Sequence, residues 1–186
     1  MAELYDKFPH IENKKIIIKK MTESDAEALF EISNNDAVYR YIGPFLHRKG
    51  ISFLRTAIKN LGSRDFDKQK MIIAGIYLRD APDRLVGLAE MFEYKKKTGT
   101  ITIGYRINET YWHQGIATEA IKLMIQYLTE LGIDTIQAYV MPENMYSTKA
   151  LLKNGFTSMN CIKQQKNWGG QSIADTEVFI YTPKRS

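Results

Sequence analysis

Residues Tyr111 to Ala120 read Tyr-Trp-His-Gln-Gly-Ile-Ala-Thr-Glu-Ala, a glycine turn set between two patterned segments. Before it, Ile101 to Ile107 has the β-branched character of a strand. After it, Ala117, Ala120, Ile121, Met124, Leu128 and Leu131 recur on one face of a helix running from Ala117 to Leu131, and Gly132 stops it. Strand, tight turn and helix N-terminus leave several backbone N–H groups unpaired at the positive end of the helix dipole. That arrangement suits a diphosphate. Taken alone, such a turn also serves as a plain helix cap.

A second segment adds to the first. Thr135 to Val140 has strand character, and Asn144-Met145-Tyr146-Ser147 then opens a short helix that ends at Asn154-Gly155-Phe156. Glycine turn and asparagine-led helix together resemble the GNAT superfamily of N-acetyltransferases. There a glycine-rich turn holds the coenzyme A pyrophosphate and an asparagine-led helix follows the next strand. The chain is most similar to the Rim-type branch, the ribosomal-protein N-terminal acetyltransferases. The matching residues are Ile103-Gly104-Tyr105, Tyr111-Trp112, Gly115 through Ala120, Asn144 with Ser147, and Lys153-Asn154-Gly155-Phe156. The order of elements fits over about residues 14 to 182. Two departures stand out. Trp112 occupies the place of the superfamily's usual Gln or Arg, as in the Rim-type branch. Leu151 occupies the place where many relatives carry a tyrosine acid, so that mechanism does not transfer.

With 186 residues, 44% hydrophobic and 25% charged, the chain fits one globular domain, 1–186. No apolar run reaches the roughly 20 residues needed to cross a bilayer, and no membrane role is expected. Met1 to Lys15 is charged and lacks an apolar signal core, which predicts a cytoplasmic protein. The single cysteine, Cys161, excludes an intrachain disulfide, and His10, His47 and His113 lack zinc-site spacing, so no metal is expected. The net charge of +5 is dispersed in pairs and one triplet, Lys95 to Lys97, without a basic stripe. No direct nucleic-acid role is predicted.

The remaining patterns complete the fold. Ile16-Ile17-Ile18 suits a first strand, Thr22 to Asp25 starts a helix continued by Ala26, Leu29, Phe30 and Ser33, and Gly50 to Leu61 forms a second. Three strands follow, Met71 to Leu78, Arg84 to Tyr94 and Thr100 to Ile107, joined as an antiparallel meander by Asp80 to Asp83 and by Lys95 to Gly99. After the two helices and the strand already described, Thr157 to Gln164 and Thr176 to Thr182 are the last strands. Lys166 to Gln171 between them reads first as a hairpin tip, with a role for Trp168 at the acceptor site as the alternative. Asn34 to Lys49 is a loop whose aromatics cover the core or form the acceptor mouth. The sum is an α+β domain with a central mixed, mostly antiparallel sheet flanked by helices.

The resemblance implies acetyl-coenzyme A as co-substrate, lying between the strand ending at Ile107 and the strand ending near Met141. Its pantetheine would pair like an added strand with backbone groups of Tyr105, Arg106 and Ile107. Its pyrophosphate would meet the N–H groups of Gln114, Gly115, Ile116, Ala117 and Thr118, with Asn144 on the pantetheine amides and Lys149 near a phosphate. Ser147 is the implied donor to the leaving thiolate. From the residues themselves, Glu90 and Glu93 are the carboxylates offered by the meander. Three apart, they point to opposite faces of an undistorted strand, so at most one faces the site. Glu90 is taken as the base, acting directly or through water, with an exposed strand glutamate as the plain reading.

The implied reaction transfers acetyl to a primary amine. Deprotonating a lysine at pH 7 costs roughly 4.6 kcal/mol, against about 1 to 1.4 kcal/mol for a protein α-amine. With no evident strong-base constellation, the expected acceptor is a protein N-terminal α-amine of the ribosomal-protein type. The alternatives are a polyamine, an aminoglycoside or another small amine, and a non-catalytic coenzyme A–binding regulatory module. A homodimer is possible.

Overall fold

The computed structural model describes residues 3–184. One eight-stranded sheet organises them. In chain order the elements are β1 (Ile11–Glu12), β2 (Ile16–Lys19), α1 (Ala26–Ser33), α2 (Ile51–Leu61), α3 (Arg64–Asp67), β3 (Met71–Leu78), β4 (Ala81–Lys95), β5 (Thr100–Ile107), α4 (Ile116–Glu130), β6 (Thr135–Val140), α5 (Met145–Lys153), β7 (Thr157–Trp168) and β8 (Gln171–Tyr181). The strand order across the sheet is β1-β2-β3-β4-β5-β6-β8-β7. Every pairing is antiparallel except β5 with β6. The α+β expectation holds, with the mixed sheet flanked by helices on both faces.

Period-two alternation divides the core between those faces. Ile101, Ile103 and Ile107 of β5 pack with Ile116, Ala120, Ile121, Met124 and Leu128 of α4 on one side. Leu29 and Ile32 of α1 and Leu54, Ile58 and Leu61 of α2 cover Ile73 and Leu88 on the other. β5 therefore sends Thr102, Gly104 and Arg106 away from α4.

Several boundaries differ from the sequence reading, each for a local reason. α1 is preceded by a 3-10 turn at Glu23–Asp25, and its buried face is Ala26, Leu29, Ile32 and Ser33; Phe30 is exposed. The strand β1 and the one-turn helix α3 have too few residues to show a period. β7 and β8 run on to Trp168 and from Gln171, leaving a turn of Gly169 and Gly170, both at positive φ. β4 is distorted where Glu93 adopts φ +54° beside a register shift between Phe92 and Lys95.

Candidate active site

The parallel pairing of β5 and β6 lasts only from Thr100 opposite Thr135 to Thr102 opposite Gln137. Beyond that the strands diverge, and the β6-facing backbone of Ile103 to Ile107 has no strand partner among the described residues. One of its groups is used: the Trp112 indole N–H donates to the Ile107 carbonyl over 2.8 Å. That bond ties the turn to the end of β5. The turn closes with His113 at φ +60° and Gly115 at φ +74°, and Gly115 caps α4. The first helical N–H groups, Ile116 to Thr118, precede any intrahelical acceptor and face outward.

A cavity of about 350 Å³ passes through the sheet at this split. On the α4 and α5 side it is lined by Tyr105, Asn144, Ser147 and Leu151, and on the opposite side by Tyr41, Phe45, Glu90, Glu93, Gln165 and Trp168. One opening thus serves both faces of the sheet.

Three side chains define its α5 end. The Asn144 Oδ1 accepts from the Ser147 N–H over 3.3 Å, capping α5, and the Asn144 amide nitrogen has no partner among the described residues. The Tyr105 hydroxyl donates to Ser147 Oγ over 3.0 Å. Burial pushes the Tyr105 phenol up to about 12, opposed in part by the bond to Ser147, so it stays protonated at neutral pH. Ser147 is left with its own proton to give. Leu151, buried, provides no hydroxyl; a tyrosine hydroxyl reaches the cavity from β5 instead.

Opposite lies a buried ion pair. Glu90 and Arg106 are 8% and 6% exposed, and Arg106 Nε donates to Glu90 Oε1. Burial opposes the guanidinium's charge, but the Glu90 carboxylate outweighs it and the Arg106 pKa is raised. Arg106 also donates to the Phe45 carbonyl over 2.7 Å and stacks over Tyr39, with 5.1 Å to the ring centroid. It is a strut between sheet and loop. Glu93 corrects the strand argument: the bulge at its positive φ turns it so that both carboxylates line the cavity. Its Oε2 accepts from Thr102 Oγ1 over 3.2 Å, and Thr102 in turn accepts from Gln137 over 2.9 Å.

The roof is made by two loops that meet. A Cβ on Gly43 would lie 2.9 Å from Trp168 Nε1, so that glycine admits the indole. The Gly169 N–H donates to the Ile42 carbonyl over 3.1 Å. Trp168 therefore borders the cavity, and the reading of Lys166 to Gln171 as a bare hairpin tip is corrected. The strands carry the tip onto a loop more than a hundred residues earlier, a contact no local pattern announces.

Other expected site residues fall as follows. Tyr105 and Ile107 direct their backbone groups to the free edge of β5, whereas the backbone of Arg106 faces β4 and its side chain is engaged with Glu90. Gln114, Gly115, Ile116, Ala117 and Thr118 form the turn and first helical turn, and Lys149 is exposed on α5. Sequence reasoning missed Lys15. From the β1–β2 hairpin, its ammonium donates to the Gln114 carbonyl and lies 3.4 Å from where a Gly115 Cβ would be. Asn13 Nδ2 anchors that hairpin to Glu119 Oε2 on α4 over 2.8 Å.

Comparison with known proteins names the class to which this fold and cavity belong. The chain matches the family model for the acetyltransferase (GNAT) domain over residues 15–157 and belongs to the GNAT acetyltransferase family. It is an acetyl-CoA-dependent N-acetyltransferase. YoaA of Bacillus subtilis (strain 168), an uncharacterized N-acetyltransferase, is 31% identical over 179 residues, spanning 96% of this chain and 99% of its own. The microcin C7 self-immunity acetyltransferase MccE, solved with acetyl-CoA and AMP, has a TM-score of 0.78 at 21% identity, covering 92% of this chain and 94% of its own. RimL, a ribosomal L7/L12 alpha-N-protein acetyltransferase solved with coenzyme A, gives 0.77 at 17% identity, covering 91% and 95%. At those identities the solved structures establish a common fold.

Proposed function

We propose that the protein acetylates the α-amine of a protein N-terminus. One observation carries this reading: Glu90, the base offered to the acceptor, is shared with Arg106, and Glu93 beside it is shared with Thr102. An acceptor that sheds its proton readily suits such a site, and an α-amine is about 2.5 pKa units closer to neutrality than a lysine. The names of RimL and of the ribosomal-protein-serine acetyltransferase of Escherichia coli (strain K12), 28% identical over 85 residues, point the same way.

In this reading the free edge of β5 at Tyr105 to Ile107 pairs with the pantetheine, and the Asn144 amide nitrogen donates to it. The N–H groups from Gln114 to Thr118 receive the pyrophosphate, with Lys15 and Lys149 contributing positive charge. The amine enters from the Trp168 side and attacks the thioester carbonyl as the carbon–sulfur bond breaks. Its proton passes to Glu90 directly or through a water, while Ser147 donates to the leaving sulfur and is resupplied by Tyr105; Glu90 then releases its proton to solvent and Tyr105 takes one back, which restores both groups. Stabilising the departing charge lowers the barrier only to the extent that this bond strengthens in the transition state.

Incubation with acetyl-CoA and matched peptides, polyamines and aminoglycosides, following free thiol, tests the reading. Peptides with free N-termini should be turned over fastest. Turnover of only polyamines or aminoglycosides would transfer the assignment to a small-amine acceptor.

A further inference from the structure

Gln165 lines the acceptor side of the cavity, and its amide nitrogen is buried without a hydrogen-bond partner among the described residues. Such an atom is uncommon, because a buried donor left unsatisfied loses its water and gains nothing in return. Tyr5 holds the other atom of this kind, against Phe66 and away from the cavity. Gln165 is different because its side chain also lines the cavity, so a turn of the carboxamide brings the unpaired nitrogen to the open volume.

Its orientation follows from the strand. Lys163, two residues earlier on β7, reaches Tyr139 Oη over 3.0 Å and approaches Glu93, which fixes that face of β7 toward the acceptor side. Gln165 projects from the same face and lines the cavity together with Trp168. A carboxamide nitrogen carries two donors and no acceptor capacity. What it lacks is an oxygen.

We propose that Gln165 recognises the acceptor by donating to the carbonyl oxygen of the α-aminoacyl residue whose amine is acetylated. The proposal rests on the α-amine reading above and makes it specific. A peptide N-terminus holds a carbonyl one carbon away from the carbon bearing its amine. An alkyl polyamine holds none, and would leave the Gln165 donor buried and unmade. Discrimination would then come from the unmet bond as much as from the met one.

The test uses two acceptors, a peptide and the same peptide with its first amide replaced by a trans-alkene, which retains the primary amine and shape but removes the carbonyl. A third, with an ester at that position, keeps the carbonyl and loses only the N–H. The quantity read is the ratio of kcat/KM between carbonyl and alkene acceptors, compared between wild type and Gln165→Leu, so that intrinsic amine reactivity cancels. Gln165→Met, unbranched and of similar length, accompanies it, and acetyl-CoA affinity confirms that each variant is folded. In wild type the amide and ester peptides should exceed the alkene by about tenfold, the worth of one hydrogen bond. In both variants the ratio should fall toward unity. If peptides are turned over and the ratio survives in both variants, Gln165 is not the recognition residue while the α-amine reading stands. If no peptide is turned over while small amines are, the α-amine reading falls and this proposal falls with it.

Discussion

The hydroxyl of Tyr105 on β5 donates across the sheet split to Ser147 Oγ at the start of α5, over 3.0 Å. A serine so supplied can give its own proton to a leaving thiolate and recover it. Ser147→Ala should lower kcat at least tenfold while acetyl-CoA affinity stays within a few-fold, the pattern of an interaction made in the transition state. Tyr105→Phe should cost less, and the double variant should be no slower than Ser147→Ala, because the two act as a unit. With the phenol pushed up to about 12, the wild-type rate should show no loss from this donor between pH 6 and pH 9. Steady-state kinetics across that range check all three statements.

Gly115→Glu should weaken coenzyme A binding at least tenfold. The new carboxylate would start beside Lys15 Nζ and pair with it, occupying the place proposed for a phosphate. The positive φ adds a folding cost of about 1–2 kcal/mol for a residue with a Cβ. Calorimetric titration on a variant verified by its melting curve separates the two effects.

Removing one partner of the buried ion pair should be costly. Arg106→Ala strands the Glu90 carboxylate and frees the Phe45 carbonyl, and the expected loss of stability is about 3–5 kcal/mol. Chemical denaturation measures it.

Gly43→Ala should disturb the acceptor and spare the donor. The added methyl meets the Trp168 indole at 2.9 Å, so the roof must shift. KM for the acceptor should rise several-fold while acetyl-CoA affinity is unchanged.

An α-amine should be acetylated faster than a lysine in a matched peptide at pH 7, since their deprotonation costs differ by roughly 3 kcal/mol. The gap should narrow as pH rises toward 9, where the α-amine is already mostly neutral and the lysine fraction still grows. A faster lysine peptide at pH 7, with its N-terminus blocked, would contradict the α-amine assignment.

What the sequence determined by itself was periodic or local. The run from Ile101 to Ile107, the glycine turn and the apolar face of the following helix identify a strand, a positive-φ cap and a buried helix through interactions within a few residues of each other. The same is true of Asn144 capping its own helix at Ser147. Tertiary structure alone decided the contacts whose partners lie far apart along the chain. A bulge at Glu93 brought it to the same cavity as Glu90, although strand periodicity puts the two on opposite faces. The side chains of Tyr105 and Ser147 met because β5 and β6 part company after Thr102, and a hairpin at Lys15 came to rest on the Gly115 turn. Trp168 and Gln165 became cavity residues because β7 and β8 extend past their apparent ends and dock on the loop at Ile42 and Gly43. Periodicity reports which side of an element is buried; which distant side chain shares that burial is fixed only when sheet order and twist bring the two together.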